Sequence, residues 1–178
     1  ADAGGRLSSD VDGSNIADAT FPMVLADYTE LCFYLAEAAE RGYSVGGSAE
    51  EWYNKGITSS MNFWLGKHYG AADVATMTAA YLANPDVAYT TAPGNWKEKI
   101  GTQAWLAFYY RGFAGYTSFR RLGFPAMNMP PNPYEHITST PRRITYPIAE
   151  QTLNAASYNA AASAIGGDLL STKIFWDK

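Results

Sequence analysis

Six of the chain's nine prolines fall between residues 123 and 147, in GFPAMNMPPNPYEHITSTPRRITYP. Proline fixes φ and removes a backbone donor, so this tract can be neither helix interior nor central strand. It reads as extended, irregular chain, and regular structure must form on either side of it. On both sides the apolar period is helical. From Pro22 to Arg41, Val24, Tyr28, Leu31, Leu35 and Ala38 recur at steps of four, three, four and three, and Gly42 supplies a stop. Ser48 followed by Glu51 is a capping-box signature, and Ala49, Trp52, Ile57, Ser60 and Trp64 form the inward stripe of the next helix. A third helix is expected over 71–83, a loop over 84–95, and one long helix from about Trp96 to Arg121. The last helix starts at Pro147 as its first-turn proline and carries a stripe of Ala149, Leu153, Ala156, Ala160 and Ala164. Five helices with almost no strand signal predict an all-α fold: an irregular helical array with long loops. The chain reads as one domain over 1–178, with a loop at 1–20 and a helical core over 21–178.

Within the long helix, AWLAFYYRGFAGYTSF (Ala104 to Phe119) has seven aromatic residues in sixteen. On a wheel of 100° per residue, Trp105, Phe108, Tyr109, Phe113, Tyr116 and Phe119 share an arc of about 140°. Gln103, Ala104, Ala107, Arg111, Ala114 and Ser118 lie opposite. The wheel predicts a buried aromatic face, each ring contributing about 2–3 kcal/mol. Tyr110 and Trp96 fall outside it and are left free for other work.

Several function classes are disfavoured. Thirteen basic residues against seventeen acidic give a net charge of −4 with no long basic run, which argues against nucleic-acid binding. The single cysteine, Cys32, rules out an internal disulfide and reads as a buried thiol. No apolar segment approaches the roughly twenty residues of a membrane span, and the opening ADAGGRLSSD is not a signal peptide. DVDGSN (Asp10 to Asn15) superficially looks like a calcium loop but lacks its ligand spacing and reads as a turn. His68 and His136 have no paired-ligand spacing, and GYSVGG follows a helix rather than a strand, so neither a metal site nor a dinucleotide cofactor is expected. Glu30, Glu37, Glu98, Glu135 and Glu150 could serve a helical glycosidase by residue type. They read more simply as partners for Arg120-Arg121 and Arg142-Arg143, and no catalytic residue is assigned.

Several segments together resemble the SusD/RagB-like nutrient-binding outer-membrane lipoproteins of Bacteroidetes. Glu30 to Gly42 is similar to ExxFxxAEAxxRG, Tyr53 to Ile57 to YxxGI, and Ile100 to Trp105 to IxxQKW with Ala104 in place of Lys. Arg120 to Pro125 matches RRxGxP, Pro141 to Asn154 is similar to PRRxxYPxxExxxN, and Gly167-Asp168 with Phe175 to Asp177 resembles a GGD…WWD ending. The resemblance implies a tetratricopeptide-like α-α superhelix of which this is the C-terminal portion. It implies a non-catalytic, lipid-anchored, surface-exposed protein of the outer membrane that captures oligosaccharide for a SusC-like TonB-dependent transporter. Its partners are then the oligosaccharide, the transporter and the N-terminal part of the same protein, where the lipid anchor and most ligand contacts would lie. The alternatives are a peptide- or protein-binding module of the same fold and an all-α glycosidase.

Within this chain, sugar stacking needs aromatic faces near amides. Trp96 beside Asn95, Trp64 at a helix end and Tyr89 in the 84–95 loop are the candidate ligand contacts. The paired arginines are expected to fasten the irregular segment through planar, bidentate carboxylate bonds, so that Arg120→Ala or Arg142→Ala lowers the melting temperature.

Overall fold

The first helix begins where a carboxylate can cap it. In the computed structural model, which describes residues 20–129, 131, 137 and 139–177, Asp27 is extended and its Oδ1 accepts the Glu30 N–H at 2.9 Å. Helix α1 therefore spans Tyr28–Glu40 and does not start at Pro22 as the periodicity predicts. The DVDGSN turn, the 1–19 loop, Glu135 and His136 lie outside the described residues. α1 ends in the expected glycine: Gly42 sits at φ +87°, its N–H donating to Ala39 O while the Tyr43 N–H donates to Ala38 O.

The buried face of α1 is Thr29, Cys32, Phe33, Ala36 and Glu37, and Tyr28 and Leu31 from the expected stripe are exposed. Small Cys32 and Ala36 let the next helix approach, and Phe33 enters the space this opens. Glu37 turns inward because Arg41 (2.8 Å) and Arg121 both pair with it.

Helix α2, Ala49–Leu65, opens with the predicted capping box: Glu51 N–H donates to Ser48 Oγ at 3.1 Å and Ser48 N–H to Glu51 Oε2 at 2.7 Å. Its buried residues are Tyr53, Gly56 and Ile57, the residues of the YxxGI motif. Gly56 faces Phe33 so closely that a Cβ there would meet ring carbons at 3.0 Å, so the two motifs meet in the core. The Tyr53 hydroxyl donates to Val87 O at 2.7 Å and ties the 84–95 loop to the core.

Helix α3 covers Ala71–Leu82 and packs on α2. The expected long helix is two helices, α4 over Trp96–Ala107 and α5 over Phe113–Leu122. The core gathers Phe33 and Ala36 of α1, Tyr53 and Ile57 of α2, Ile100, Ala104 and Ala107 of α4, and then Val87, Phe108 and Leu122. Of the seven rings in 104–119 only Phe108 is buried. Gln103, Ala104, Ala107, Gly115 and Ser118, mostly from the opposite side of the wheel, face inward. The aromatic face is thus a half-exposed one, because small residues on α4 allow the close helix approach that bulky rings prevent. Gln103 is satisfied by the Tyr81 hydroxyl at 3.0 Å.

These helices belong to a first compact unit that ends at Pro125, and a second begins at Ala126. In the second unit, the expected last helix is interrupted at Asn154, giving α6 over Ile148–Leu153 and α7 over Ala155–Ala164. Pro147 is the residue before the helix, and neither helix has a buried residue, so the alanine stripe faces outward. The PRR arginines do find carboxylates, but not the glutamates expected. Arg142 Nη1 reaches both oxygens of Asp177 at 2.7 and 2.9 Å, and Arg143 Nη1 pairs with Asp168. Asp168 also accepts the Tyr146 N–H at 3.1 Å. The PRR segment is therefore fastened to the GGD and FWD endings, while Glu150 accepts a bond from the Asn154 amide at 3.0 Å. One guanidinium nitrogen makes both Arg142 contacts, which is not the two-nitrogen fork anticipated.

Candidate functional site

The break between α4 and α5 organises the most conspicuous surface feature of the first unit. Phe108 caps α4 from inside the core, and Arg111, two residues past the exposed Tyr109, turns inward again. Its guanidinium donates to Asp27 Oδ1 at 2.9 Å and Glu30 Oε2 at 3.1 Å, and lies 5.1 Å from the Phe108 ring centre. The carboxylate that caps α1 thus also anchors the break. Holding Phe108 and Arg111 both inward forces the chain between them outward. Tyr110 adopts φ +60°, a left-handed conformation costly for a side chain of its size, and Gly112 follows at φ +54°.

Tyr110 is 64% exposed as a result. Its neighbours are rings. Phe21 stands edge-on to Tyr110 at 6.2 Å and stacks on Trp64 at 6.1 Å, Phe63 meets Trp64 at 5.1 Å, and Tyr109 meets Trp64 at 5.6 Å. Trp64 and Tyr109 stand between two cavities. One, of about 550 Å³, is lined by Phe21 to Leu25, Phe63 and Tyr110 to Gly112 as well. The other, of about 340 Å³, is lined mainly by apolar side chains, including Phe33, Met61, Trp105 and Leu106. The rings offer flat apolar faces at the N-terminal end of α1, with Arg111 in the cavity lining and the Lys67 ammonium 5.7 Å from the Phe21 ring centre as local cations.

The other three sequence candidates gather at the C-terminal end of α1. Trp96, the first residue of α4, has the Arg41 guanidinium 5.4 Å from its ring centre and the Lys97 ammonium at 5.6 Å. Asn95 uses its side-chain oxygen to cap α4, accepting Lys97 N–H at 2.9 Å and Glu98 N–H at 3.2 Å. Tyr89 packs on Tyr53 at 5.0 Å and donates to Glu40 Oε1 at 2.5 Å. Burial and the adjacent Glu40 carboxylate push the Tyr89 hydroxyl well above the ordinary range, keeping it a donor at any physiological pH. The structure therefore joins Tyr89, Asn95 and Trp96 through Glu40, Arg41 and the start of α4, and places Trp64 elsewhere. Sequence reasoning missed Phe21, Phe63 and Tyr109 as its companions. The signal that could have found them is Arg111-Gly112, a charge and a glycine in the middle of an aromatic run.

Among the described residues, no group of His, Cys, Asp and Glu is arranged to hold a metal ion. Asp27 and Glu30, at the N-terminal end of α1, are both bonded to Arg111, and among the described residues neither cavity beside Trp64 has a carboxylate in its lining.

A family model described as SusD-like, starch-binding associating with outer membrane, matches residues 4–147. The chain belongs to the SusD-like family. Among solved structures, it is similar to a SusD-like protein of Bacteroidetes at 30% identity and a TM-score of 0.69, over 88% of this chain and 31% of that one. A SusD homologue of Bacteroides fragilis NCTC 9343 matches at 31% identity and 0.66, over 88% of this chain and 35% of that one. A chitin-binding SusD homologue of Flavobacterium johnsoniae matches at 28% and 0.63, over 86% and 36%. The chain spans about a third of the length of these SusD-like structures. No curated protein matches the sequence. No helix among the described residues is long and apolar enough to cross a membrane.

Proposed function

We propose that this chain is part of a non-catalytic glycan-binding protein of the outer-membrane surface, with Trp64 and Tyr110 as stacking contacts for an oligosaccharide. The observation that carries the reading is Tyr110: its backbone is held in a costly conformation, about 1–3 kcal/mol, that keeps an exposed ring edge-on to Phe21, which itself stacks on Trp64, all three lining one cavity. The apolar C–H faces of a sugar suit such rings. The starch-binding description of the family and the chitin-binding relative support a glycan over a peptide. Commitment of Asp27 and Glu30 to Arg111 supports binding without turnover. Trp96, Asn95 and Tyr89 form a second candidate contact, where a sugar would compete with Arg41 and Lys97 for the indole faces. In this reading the glycan passes to a SusC-like TonB-dependent transporter. The remainder of a longer protein carries the lipid anchor and covers exposed rings such as Phe113.

Calorimetric titration of the protein with soluble starch and with chito-oligosaccharides tests this. Trp64→Ala and Tyr110→Ala each remove a ring's worth of buried apolar surface and should weaken binding about ten-fold or more. Unchanged affinity in both variants, or hydrolysis of the oligosaccharide by the protein, would overturn it.

A further inference from the structure

A third, chemically different cavity of about 390 Å³ lies on another side of α2, lined by Tyr28, Asn54, Lys55, Thr58, Ser59 and Asn62. Five of these are polar side chains from a single helix face. Asn54, Thr58 and Asn62 recur every fourth residue, so the two amides are about 12 Å apart along the axis. A plain solvated helix face would need no wall and no internal bracing, and this one has both. Tyr28, 53% exposed, forms the wall. Its neighbour Thr29, itself buried, donates to Ser59 Oγ at 2.8 Å. That bond leaves the Ser59 proton free to point into the groove. Thr58 donates back to Asn54 O at 2.8 Å, leaving its oxygen able to accept. Among the described residues, no hydrogen bond engages the Asn54 or Asn62 side-chain amide. Lys55 is held alongside, its ammonium 4.1 Å from the Trp52 ring centre.

We infer that this groove is a binding surface for a polyhydroxylated ligand, a stretch of glycan chain lying along α2 with its hydroxyls on Asn54, Ser59 and Asn62 and a ring face on Tyr28. The inference rests on the proposed glycan-binding function and adds a surface distinct from the Trp64–Tyr110 cluster. The residue chemistry favours it over an apolar partner. Each amide offers two donors and an acceptor, which matches sugar hydroxyls that both give and take, and there is no carboxylate in the lining to repel an acidic sugar. An open groove holding an extended chain also explains why the polar groups are strung along the helix axis and do not converge on one point.

The test is titration of the protein and of three variants, Asn54→Ala/Asn62→Ala, Tyr28→Ala and Trp64→Ala, with maltoheptaose and chitohexaose, alongside thermal melts. Alanine is the better helix former, so the double amide variant should keep its melting temperature. Its affinity for the bound oligosaccharide should fall about ten-fold, since two hydrogen bonds of ordinary strength are lost. Tyr28→Ala should weaken binding by a similar factor. If wild type binds, Trp64→Ala weakens it, and both groove variants bind as wild type, the groove inference fails while the function stands. If wild type binds neither oligosaccharide, nor soluble starch, the function itself fails and the groove with it.

Discussion

Gly56→Ala separates two opposing effects that the structure makes calculable. In an exposed helix, replacing glycine with alanine stabilises by about 1 kcal/mol through lost backbone freedom in the unfolded chain. At Gly56 the added methyl would meet Phe33 Cε1 and Cζ at 3.0 Å and Cε2 at 3.2 Å. Contacts that short require the ring to move by several tenths of an ångström. Phe33 has little room, because it is buried and held edge-on by Tyr53 at 6.4 Å and Phe108 at 6.3 Å, both buried themselves. Overpacking of a filled core costs about 1–3 kcal/mol, which exceeds the propensity gain. The expected net effect is destabilisation by about 1 kcal/mol, or a melting temperature lower by about 2–4 °C in a chain of this length.

The assay is a double-mutant cycle with Phe33→Leu, read by urea denaturation. Leucine vacates ring volume where the new methyl points, so the double variant should be more stable than the sum of the single effects by about 1 kcal/mol. Additivity, or a Gly56→Ala protein more stable than wild type, would show that the two motifs do not meet through this contact and would refute the packing argument.

Two further predictions concern the second unit. Arg142→Ala removes the guanidinium that reaches both Asp177 oxygens and should cost about 1–2 kcal/mol, discounted for the partial exposure of Arg142. Arg142→Lys should recover part of that in a thermal melt, because one nitrogen makes both contacts. The second prediction is an acid transition. Burial raises the Asp168 carboxyl, but the bonds from Arg143, Tyr146 N–H and Tyr158 outweigh it and hold the group below its ordinary 3.8. A depressed folded-state value contributes stability that is present above about pH 4 and lost as pH falls through the lowered value. Tyr158 fluorescence or NMR should therefore report loosening of the Tyr146–Asp168 region below about pH 4, and Asp168→Asn should remove that transition while lowering stability at neutral pH.

Local rules made helix ends legible in the sequence wherever a single side chain decides them. Ser48 with Glu51 and Gly42 behave as read, because capping is settled by groups three or four residues apart. Helix faces were legible only where the core accepts what periodicity offers. On α1 the period pointed to Tyr28 and Leu31, and the structure buries Cys32, Phe33 and Glu37. A charged Glu37 counts as polar in any pattern until Arg41 and Arg121, the second of them 84 positions away, are brought to it. The same limit explains the largest misreading. The wheel over 104–119 assumed one straight helix, whereas Arg111 gains two carboxylates, Asp27 capping α1 and Glu30 in its first turn, where the helix stops, and long-range ion pairing leaves no trace in hydrophobic period. The family motifs themselves lie mostly on these scaffold contacts: Phe33 with Gly56, Arg121 with Glu37, Arg142 with Asp177, Arg143 with Asp168. Residues that recognise a ligand need not repeat from one relative to another with a different ligand, so a motif search finds the frame and passes over the contacts. Of the proposed contacts, Tyr110, Trp64, Asn54 and Asn62 are not among the matched motif positions. Their evidence is geometric, in a left-handed tyrosine and in two amides left without a partner among the described residues.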